Sequence, residues 1–151
     1  MFHATGRIGR IPEEHLNRLL AFGHPVTFAS GTRLFEEGGA ACEFWLVEAG
    51  AVALDLHVPG RHAATVETLG AGELVGWSWL FPPFRWQLGA QAVGAVRALE
   101  FDAEAVRAAG ERDPAFGRAI TLACAQVIAG RLQSSRRRLL ELYGPHGFAE
   151  R

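Results

Sequence analysis

The stretch that organises this sequence is residues 69–92, which read LGAGELVGWSWLFPPFRWQLGAQA. Glycines at positions 70, 72 and 76 allow tight turns and leave backbone amides free to face a ligand. A short apolar run follows, from Trp77 to Phe81, and ends at two prolines that cannot donate backbone hydrogen bonds. A glycine loop that opens into a short helix is an anion cradle in principle, although most glycine-rich turns between strands are only turns. We refer to residues 70–92 as the cassette.

The composition is that of one globular domain. The chain has 151 residues, of which 49% are hydrophobic and 21% are charged, and this length is sufficient to bury a core. Its formal net charge of -1 disfavours wholesale nucleic-acid binding. Cys42 and Cys124 are too few for a disulfide framework and lack metal-ligand spacing. No apolar run reaches about 18 residues and no signal peptide is recognisable, so we expect a cytoplasmic domain with no metal and no membrane segment.

The periodicity predicts helix, then strands, then helices. Apolar residues at helical spacing predict a helix over residues 12–22. Residues 26–101 contain short strand-like runs separated by glycine-bearing breaks about every ten residues, which indicates an antiparallel sandwich or barrel. Asp102 suits the N-cap of a short helix over residues 103–109, which Gly110 would end. The predicted strands are residues 26–28, 32–35, 44–47, 51–58, 64–69, 87–88, 91–93 and 97–101.

A long helix is predicted over residues 115–143. Asp113 and Pro114 are typical of its start, and Gly144-Pro145 would close it. Small and branched residues recur along it at spacings of three and four, which predicts a narrow seam for a second helix. The seam residues, which we expect at a homodimer interface, are Ile120, Ala123, Val127, Gly130 and Ser134.

Four motifs occur in order along the chain. They are Phe28-x-x-Gly31-x-x-Leu34-Phe35-x-x-Gly38, then Phe44-Trp45-Leu46-Val47-x-x-Gly50-x-Val52, then Gly72-Glu73-Leu74-Val75-Gly76, and finally Ala129-Gly130-Arg131-Leu132-Gln133-Ser134-Ser135. Together they resemble the cyclic-nucleotide-binding domain of the Crp/Fnr-type bacterial regulators, over about residues 16–142. The resemblance implies an α+β fold, an antiparallel β-roll or double-stranded jelly roll flanked by an N-terminal helix and a long C-terminal helix. Residues 1–151 would form one stand-alone domain of this kind.

The resemblance also implies a non-catalytic module whose cassette holds a cyclic nucleotide, but the cassette departs from the family pattern. The family places a glutamate after the cassette glycine, where it binds the ribose 2′-hydroxyl, and this chain has Trp77. The family arginine that pairs with the cyclic phosphate is replaced by Gln87, while Arg85 lies two residues earlier. Losing a charge-assisted contact to phosphate costs about 1.5–3 kcal/mol. We therefore expect no tight binding of cAMP.

A second departure lies at the C-terminus. In the regulators a helix-turn-helix domain follows the central helix, whereas here only residues 144–151 remain, too few for two helices and a turn. We expect no sequence-specific DNA binding by this chain alone, as for a transcription-regulator relative that has lost its DNA-binding domain.

The candidate ligand-binding residues come from the cassette and from Ser135, which matches the helix position that touches the base in the regulators. Arg85 is the candidate countercharge for a small acidic, partly apolar ligand. The arginines at positions 131 and 136–138 indicate either a solvated helix face or a site that neutralises an acidic ligand or partner. The candidates are Gly72, Leu74, Gly76, Trp77, Ser78, Arg85, Trp86, Gln87 and Ser135.

Two functions remain open. The first is a ligand-sensing regulatory domain that dimerises along residues 115–142 and binds something other than cAMP. The second is an interaction or structural module whose pocket is plugged by its own aromatic side chains, Trp77, Trp79, Phe81, Phe84 and Trp86. His57 and His62 lack the ligand pattern of a metal-dependent cupin, and no nucleophile triad is recognisable, so we expect no enzyme. The sequence indicates no cofactor.

Overall fold

The fold is an antiparallel β-roll between helices. The computed structural model describes residues 11–149, with side chains for residues 11–143. In chain order the elements are α1 (Glu13–Leu20), β1 (His24–Phe28), β2 (Arg33–Phe35), β3 (Glu43–Leu56), β4 (Ala64–Leu69), β5 (Leu74–Val75), a 3-10 helix (Ser78–Leu80), β6 (Gly89–Asp102), α2 (Ala103–Arg112) and α3 (Pro114–Ala149).

Two long strands form the centre of the sheet. β3 and β6, each 14 residues long, pair antiparallel from Glu43 opposite Asp102 to Asp55 opposite Gly89. β1 and β2 pair with β6, whereas β4 and β5 pair with β3. This arrangement confirms the β-roll with an N-terminal helix and a long C-terminal helix.

The glycines at positions 50 and 94 bend strands and do not end them, contrary to our prediction. β3 contains both predicted runs 44–47 and 51–58 up to Leu56, and β6 contains both 91–93 and 97–101. Gly50 has a φ of +93°, and the β3–β6 register shifts on both sides of Ala49. A Cβ at Gly50 would lie 3.0 Å from the Cα of Val96, so only glycine allows this close crossing.

The α2–α3 junction also differs from the prediction. Asp102 caps α2 as expected, since its side chain accepts hydrogen bonds from two backbone amides. Gly110, however, lies inside α2, which continues to Arg112. A Cβ at Gly110 would lie 3.0 Å from the Cα of Gly117 in α3. This glycine pair allows the two helices to approach closely, and it does not end α2.

Helix α3 is longer than predicted, and its inward face is part of the core. It continues through Gly144 and Pro145 to Ala149, although an interior proline removes one helical hydrogen bond and disfavours the helix. Among residues 11–149, no helix has the length and apolar content needed to cross a membrane.

The face of α3 that we expected at a dimer interface packs inside the protomer. Ile120, Ala123 and Val127 are 4%, 5% and 2% exposed and belong to the hydrophobic cluster under the roll. Gly130 and Ser134, further along the same face, are half-buried. The prediction is therefore wrong for Ile120, Ala123 and Val127, because these side chains pack in the hydrophobic core of their own chain. For Gly130 and Ser134 it stays a prediction.

Candidate functional site

The cassette runs from the β4–β5 turn through the 3-10 helix to the start of β6. The amide of Gly72 donates to the carbonyl of Val47 at 2.7 Å, which closes the glycine turn onto β3. Trp79 is a core residue: its indole stacks on Phe44 with ring centroids 4.2 Å apart, and its Nε1 donates to the carbonyl of Gly76. Trp79 thus anchors the cassette to the hydrophobic core. It does not line the cavity beside Trp86.

The indole of Trp86 occupies the space between the cassette backbone and strand β2. It is 5% exposed and stacks on the ring of Phe35, with centroids 3.8 Å apart and planes at 14°. On the other side, a Cβ at Gly76 would lie 2.7 Å from the Cη2 of Trp86, so the indole rests directly on the cassette backbone. Only about 30 Å³ remains open beside it. This cassette cavity is lined by Phe35, Leu54, Gly76, Trp77, Ser78, Trp86, Gln87, Leu88 and Arg131.

Arg131 of α3 is the charged residue of the cassette cavity. The sequence analysis gave this arginine two alternatives, a solvated helix face or a site for an acidic ligand or partner, and did not place it in the cassette. It is 8% exposed and donates from Nη2 to the carbonyl of Leu74 on β5. Its Nε has no hydrogen-bond acceptor among the described residues. Burial lowers the pKa of this guanidinium, and the nearby carboxylates of Glu67 and Glu73 oppose the shift. The interpretation of Arg131 as part of a solvated helix face is wrong. Its spacing of four residues from the buried Val127 is the signal that would have placed it inward.

The comparison with known proteins identifies the family of this domain. Residues 25–113, more than half of the chain, match the family model described as the cyclic nucleotide-binding domain. The chain belongs to the cyclic nucleotide-binding domain family. This confirms the resemblance found in the sequence. No significant match was found among curated proteins.

Solved structures show the same fold as this cyclic nucleotide-binding domain. A cyclic nucleotide-binding domain from Methylobacillus flagellatus has 18% identity and a TM-score of 0.77, over 88% of this chain and 75% of that one. The N-terminal domain of a transcriptional regulator from Streptomyces coelicolor has 25% identity and a TM-score of 0.66, over 91% and 92%. The catabolite activator protein of Thermus thermophilus has 25% identity and a TM-score of 0.69, and 88% of this chain matches 61% of it.

The structure brings together some of the expected site residues of this cyclic nucleotide-binding domain and separates others. Ser78 is buried, and Trp77 and Gln87 are more exposed, but all three line the cassette cavity. Arg85 does not line it, since its exposed guanidinium donates to the carbonyl of Gly38 at 3.2 Å. Ser135 is exposed and does not line it either. The two candidates drawn from charge and from the helix resemblance therefore lie outside the cavity.

Helix α2 also contacts the cassette through an arginine. Arg107 of α2 donates from Nη1 to the carbonyl of Trp79 at 2.6 Å. Its guanidinium lies over the ring of Phe84, 4.4 Å from the centroid. Arg107 and Arg131 thus connect α2 and α3 to backbone carbonyls of the cassette.

An ion pair supports the start of β6 next to the cassette. Arg33 on β2 donates to both carboxylate oxygens of Asp55 on β3, at 2.5 and 3.0 Å. The hydrogen bond that Arg33 donates to Asp55 raises the pKa of Arg33 above its ordinary value. A Cβ at Gly89 would lie 2.5 Å from Asp55 Oδ1, so a larger residue there would displace the ion pair. Within residues 11–149, no group of three or more His, Cys, Asp or Glu side chains is arranged to hold a metal ion.

Proposed function

We propose that this chain is a non-catalytic regulatory domain whose cassette is closed by Trp86 and does not bind cAMP or cGMP tightly. The observation that supports the proposal is the position of the Trp86 indole, which leaves a cavity of about 30 Å³. Small-molecule pockets usually measure about 300–1,000 Å³. A nucleotide therefore has no room in the cassette while the indole stays stacked on Phe35.

The polar groups of the cassette also suit a cyclic nucleotide poorly. Trp77 stands where the family has the glutamate that binds the ribose hydroxyl, and an indole offers no acceptor. Gln87 stands where the family has the arginine that pairs with the cyclic phosphate, and Arg85 is engaged with Gly38. One lost charge-assisted hydrogen bond costs about 1.5–3 kcal/mol, which is roughly tenfold to a hundredfold in affinity. Both effects add to the cost of displacing Trp86.

We also propose that the domain works as a homodimer through the outward face of α3. Large apolar side chains are exposed on this face: Leu122 by 54%, Leu132 by 50% and Leu139 by 57%. These leucines belong to a row of seven exposed residues that are spaced alternately three and four positions apart along α3. This is the heptad pattern of a two-helix coiled coil. The seven residues of this heptad face are Leu122, Ala125, Ala129, Leu132, Arg136, Leu139 and Tyr143.

A second copy of the chain fits this heptad face better than another kind of partner. The alanines at positions 125 and 129 allow two identical helices to approach closely, and pairing would remove the exposed leucines from water. Arg136 is the one charged residue in the pattern, and a single polar position in a coiled-coil seam fixes the register at some cost in stability.

Native mass spectrometry of freshly purified protein tests both parts of this function. We expect the mass of two 16.4 kDa chains with no retained nucleotide. A monomer at tens of micromolar would contradict the dimer, and a co-purified cyclic nucleotide would contradict the closed cassette. The two results are read from one spectrum but fail independently.

A second candidate function is the sensing of a small acidic ligand other than a cyclic nucleotide. One observation favours it: the buried guanidinium of Arg131 borders the cassette cavity with an Nε that lacks an acceptor among the described residues. A module that only docks on a partner protein has no need for a charge in that position.

DNA binding is not part of the proposed function. Within the described residues, the chain after Arg131 is one helix without a helix-turn-helix. Arg136 and Arg137 are exposed there, and Arg138 donates to the carbonyl of Val66. We expect any DNA binding through these arginines to ignore sequence and to fall steeply with salt.

A further inference from the structure

Arg131 is a buried cation without a carboxylate partner. Among residues 11–143, no Asp or Glu oxygen lies within ion-pair distance of its guanidinium. The hydrogen bond from its Nη2 goes to a neutral acceptor, the carbonyl of Leu74, and its Nε finds no acceptor within the described part of the chain. Burying an unpaired cation is costly, so this position stabilises an anion placed against Nε.

Trp86 limits the small cavity that Arg131 also borders. The indole and the guanidinium border the same cavity of about 30 Å³, together with Ser78. Such a volume holds about one or two water molecules, or one small charged group. The neighbouring space, which is large enough for an aromatic ring, is taken by the indole itself in its stack on Phe35.

We propose that this site binds a small aromatic monocarboxylate, whose ring replaces the Trp86 indole on Phe35 and whose carboxylate enters the cavity against Arg131 Nε. The inference rests on the proposed function in one respect, that Trp86 closes the cassette. The hydroxyl of Ser78 supplies a second donor to the carboxylate. Glu67 and Glu73 act electrostatically on Arg131, and they disfavour a second negative charge on the ligand.

The position of Arg131 connects the ligand to the rest of the domain. Its Nη2 holds Leu74 at the start of the cassette, and its backbone belongs to α3, which also carries the heptad face. An anion at Nε therefore joins the cassette to the dimer helix through one side chain. Displacement of Trp86 would at the same time release its contact with Gly76.

A cavity variant with two matched probes tests the proposal. Trp86→Ala opens a space of indole size, and the probes are indole-3-acetate and the neutral 3-methylindole, which share the ring and differ in charge. By calorimetry we expect the carboxylate to bind Trp86→Ala about tenfold to a hundredfold more tightly than the neutral probe. The added change Arg131→Met should reduce this ratio to about one, while Arg85→Met, outside the cavity, should leave it unchanged. Wild-type protein should bind indole-3-acetate more weakly than Trp86→Ala, because its own indole must first move.

Equal affinity of Trp86→Ala for the two probes would overturn the role of Arg131. Absence of binding by either probe to a folded Trp86→Ala would overturn the ring site. If Trp86→Ala does not unfold cooperatively, the same ratio is measured on Trp86→Leu, and the same two results would overturn the proposal. The exclusion of cAMP is measured on wild-type protein with cAMP alone, so it stands or fails separately.

Discussion

The indole of Trp86 stacks on the ring of Phe35, with centroids 3.8 Å apart and planes inclined by 14°. The contact joins the end of the cassette to strand β2, about 50 residues earlier in the chain, and it takes the volume that a ligand would need. Trp45 lies at the edge of the same cluster, 6.3 Å from Trp86. We propose that this aromatic cluster keeps the cassette cavity filled.

Removing the Trp86 indole should destabilise the fold. Replacing a buried Trp by Ala usually costs about 3–5 kcal/mol, so we expect Trp86→Ala to lower the free energy of unfolding by this amount. Trp77→Ala is the matched control, because Trp77 is in the same segment but is partly exposed. Urea denaturation of the two variants measures the difference. Equal losses would mean that Trp86 is not the residue that closes the cassette.

Much of the fold could be predicted from the sequence because turns and strands have local signals. Glycine-punctuated strand runs and the Asp102 cap lead to the roll and to α2 without tertiary information. The strand ends predicted at Gly50 and Gly94 were wrong, because whether a glycine ends a strand or bends it depends on the strand that pairs with it. In β3 the deciding contact is Val96, 46 residues away in the sequence.

The site was harder to predict because it depends on which face of α3 meets the sheet. The helix carries two stripes at spacings of three and four, and the stripe through Val127 was assigned to a partner although it packs on the roll. The same face brings Arg131 into the cassette cavity. Arginine side chains are rarely buried, so the residue type alone predicts that Arg131 is exposed to solvent. Trp86 as a plug was among the sequence hypotheses, whereas Arg85 as the countercharge was not supported by its position.

The two stripes of α3 predict opposite effects of a single charge. Leu132→Glu places like charges in the heptad face of both chains, so we expect a folded monomer by analytical ultracentrifugation. Val127→Glu buries a carboxylate in the core and should instead reduce cooperative unfolding. A Leu132→Glu protein that remains dimeric would exclude the heptad face as the interface.

The two cysteines should differ sharply in reactivity. Burial raises the pKa of the Cys124 thiol to about 12, so almost no thiolate forms at neutral pH, whereas Cys42 is exposed. A thiol reagent should modify one cysteine per native chain rapidly, and Cys42→Ser should abolish this fast phase. Rapid labelling of two thiols in native protein would show that α3 is not packed on the roll as described.

Acid should weaken the start of α3 through Asp113. The backbone hydrogen bond from Phe116, with help from Arg18, lowers the pKa of this carboxyl below its ordinary 3.8. A lowered folded-state pKa contributes stability above the unfolded-state value, and the contribution disappears as pH falls through the folded-state value. Asp113→Asn should therefore be less stable than wild type at about pH 7, and the difference should disappear as pH falls through the lowered folded-state pKa of Asp113. Urea denaturation across this range checks it, and a difference independent of pH would exclude the ionised carboxylate as its cause.

The most direct test of the closed cassette is calorimetric titration of the wild-type domain with cAMP. We propose that Trp86 fills the cavity and that Trp77 and Gln87 replace the family's ribose and phosphate contacts. We therefore expect no heat beyond dilution up to about 1 mM cAMP, a limit that corresponds to about -4 kcal/mol or weaker. A dissociation constant in the micromolar range would contradict the account, because it would mean that the indole leaves the cassette at little cost.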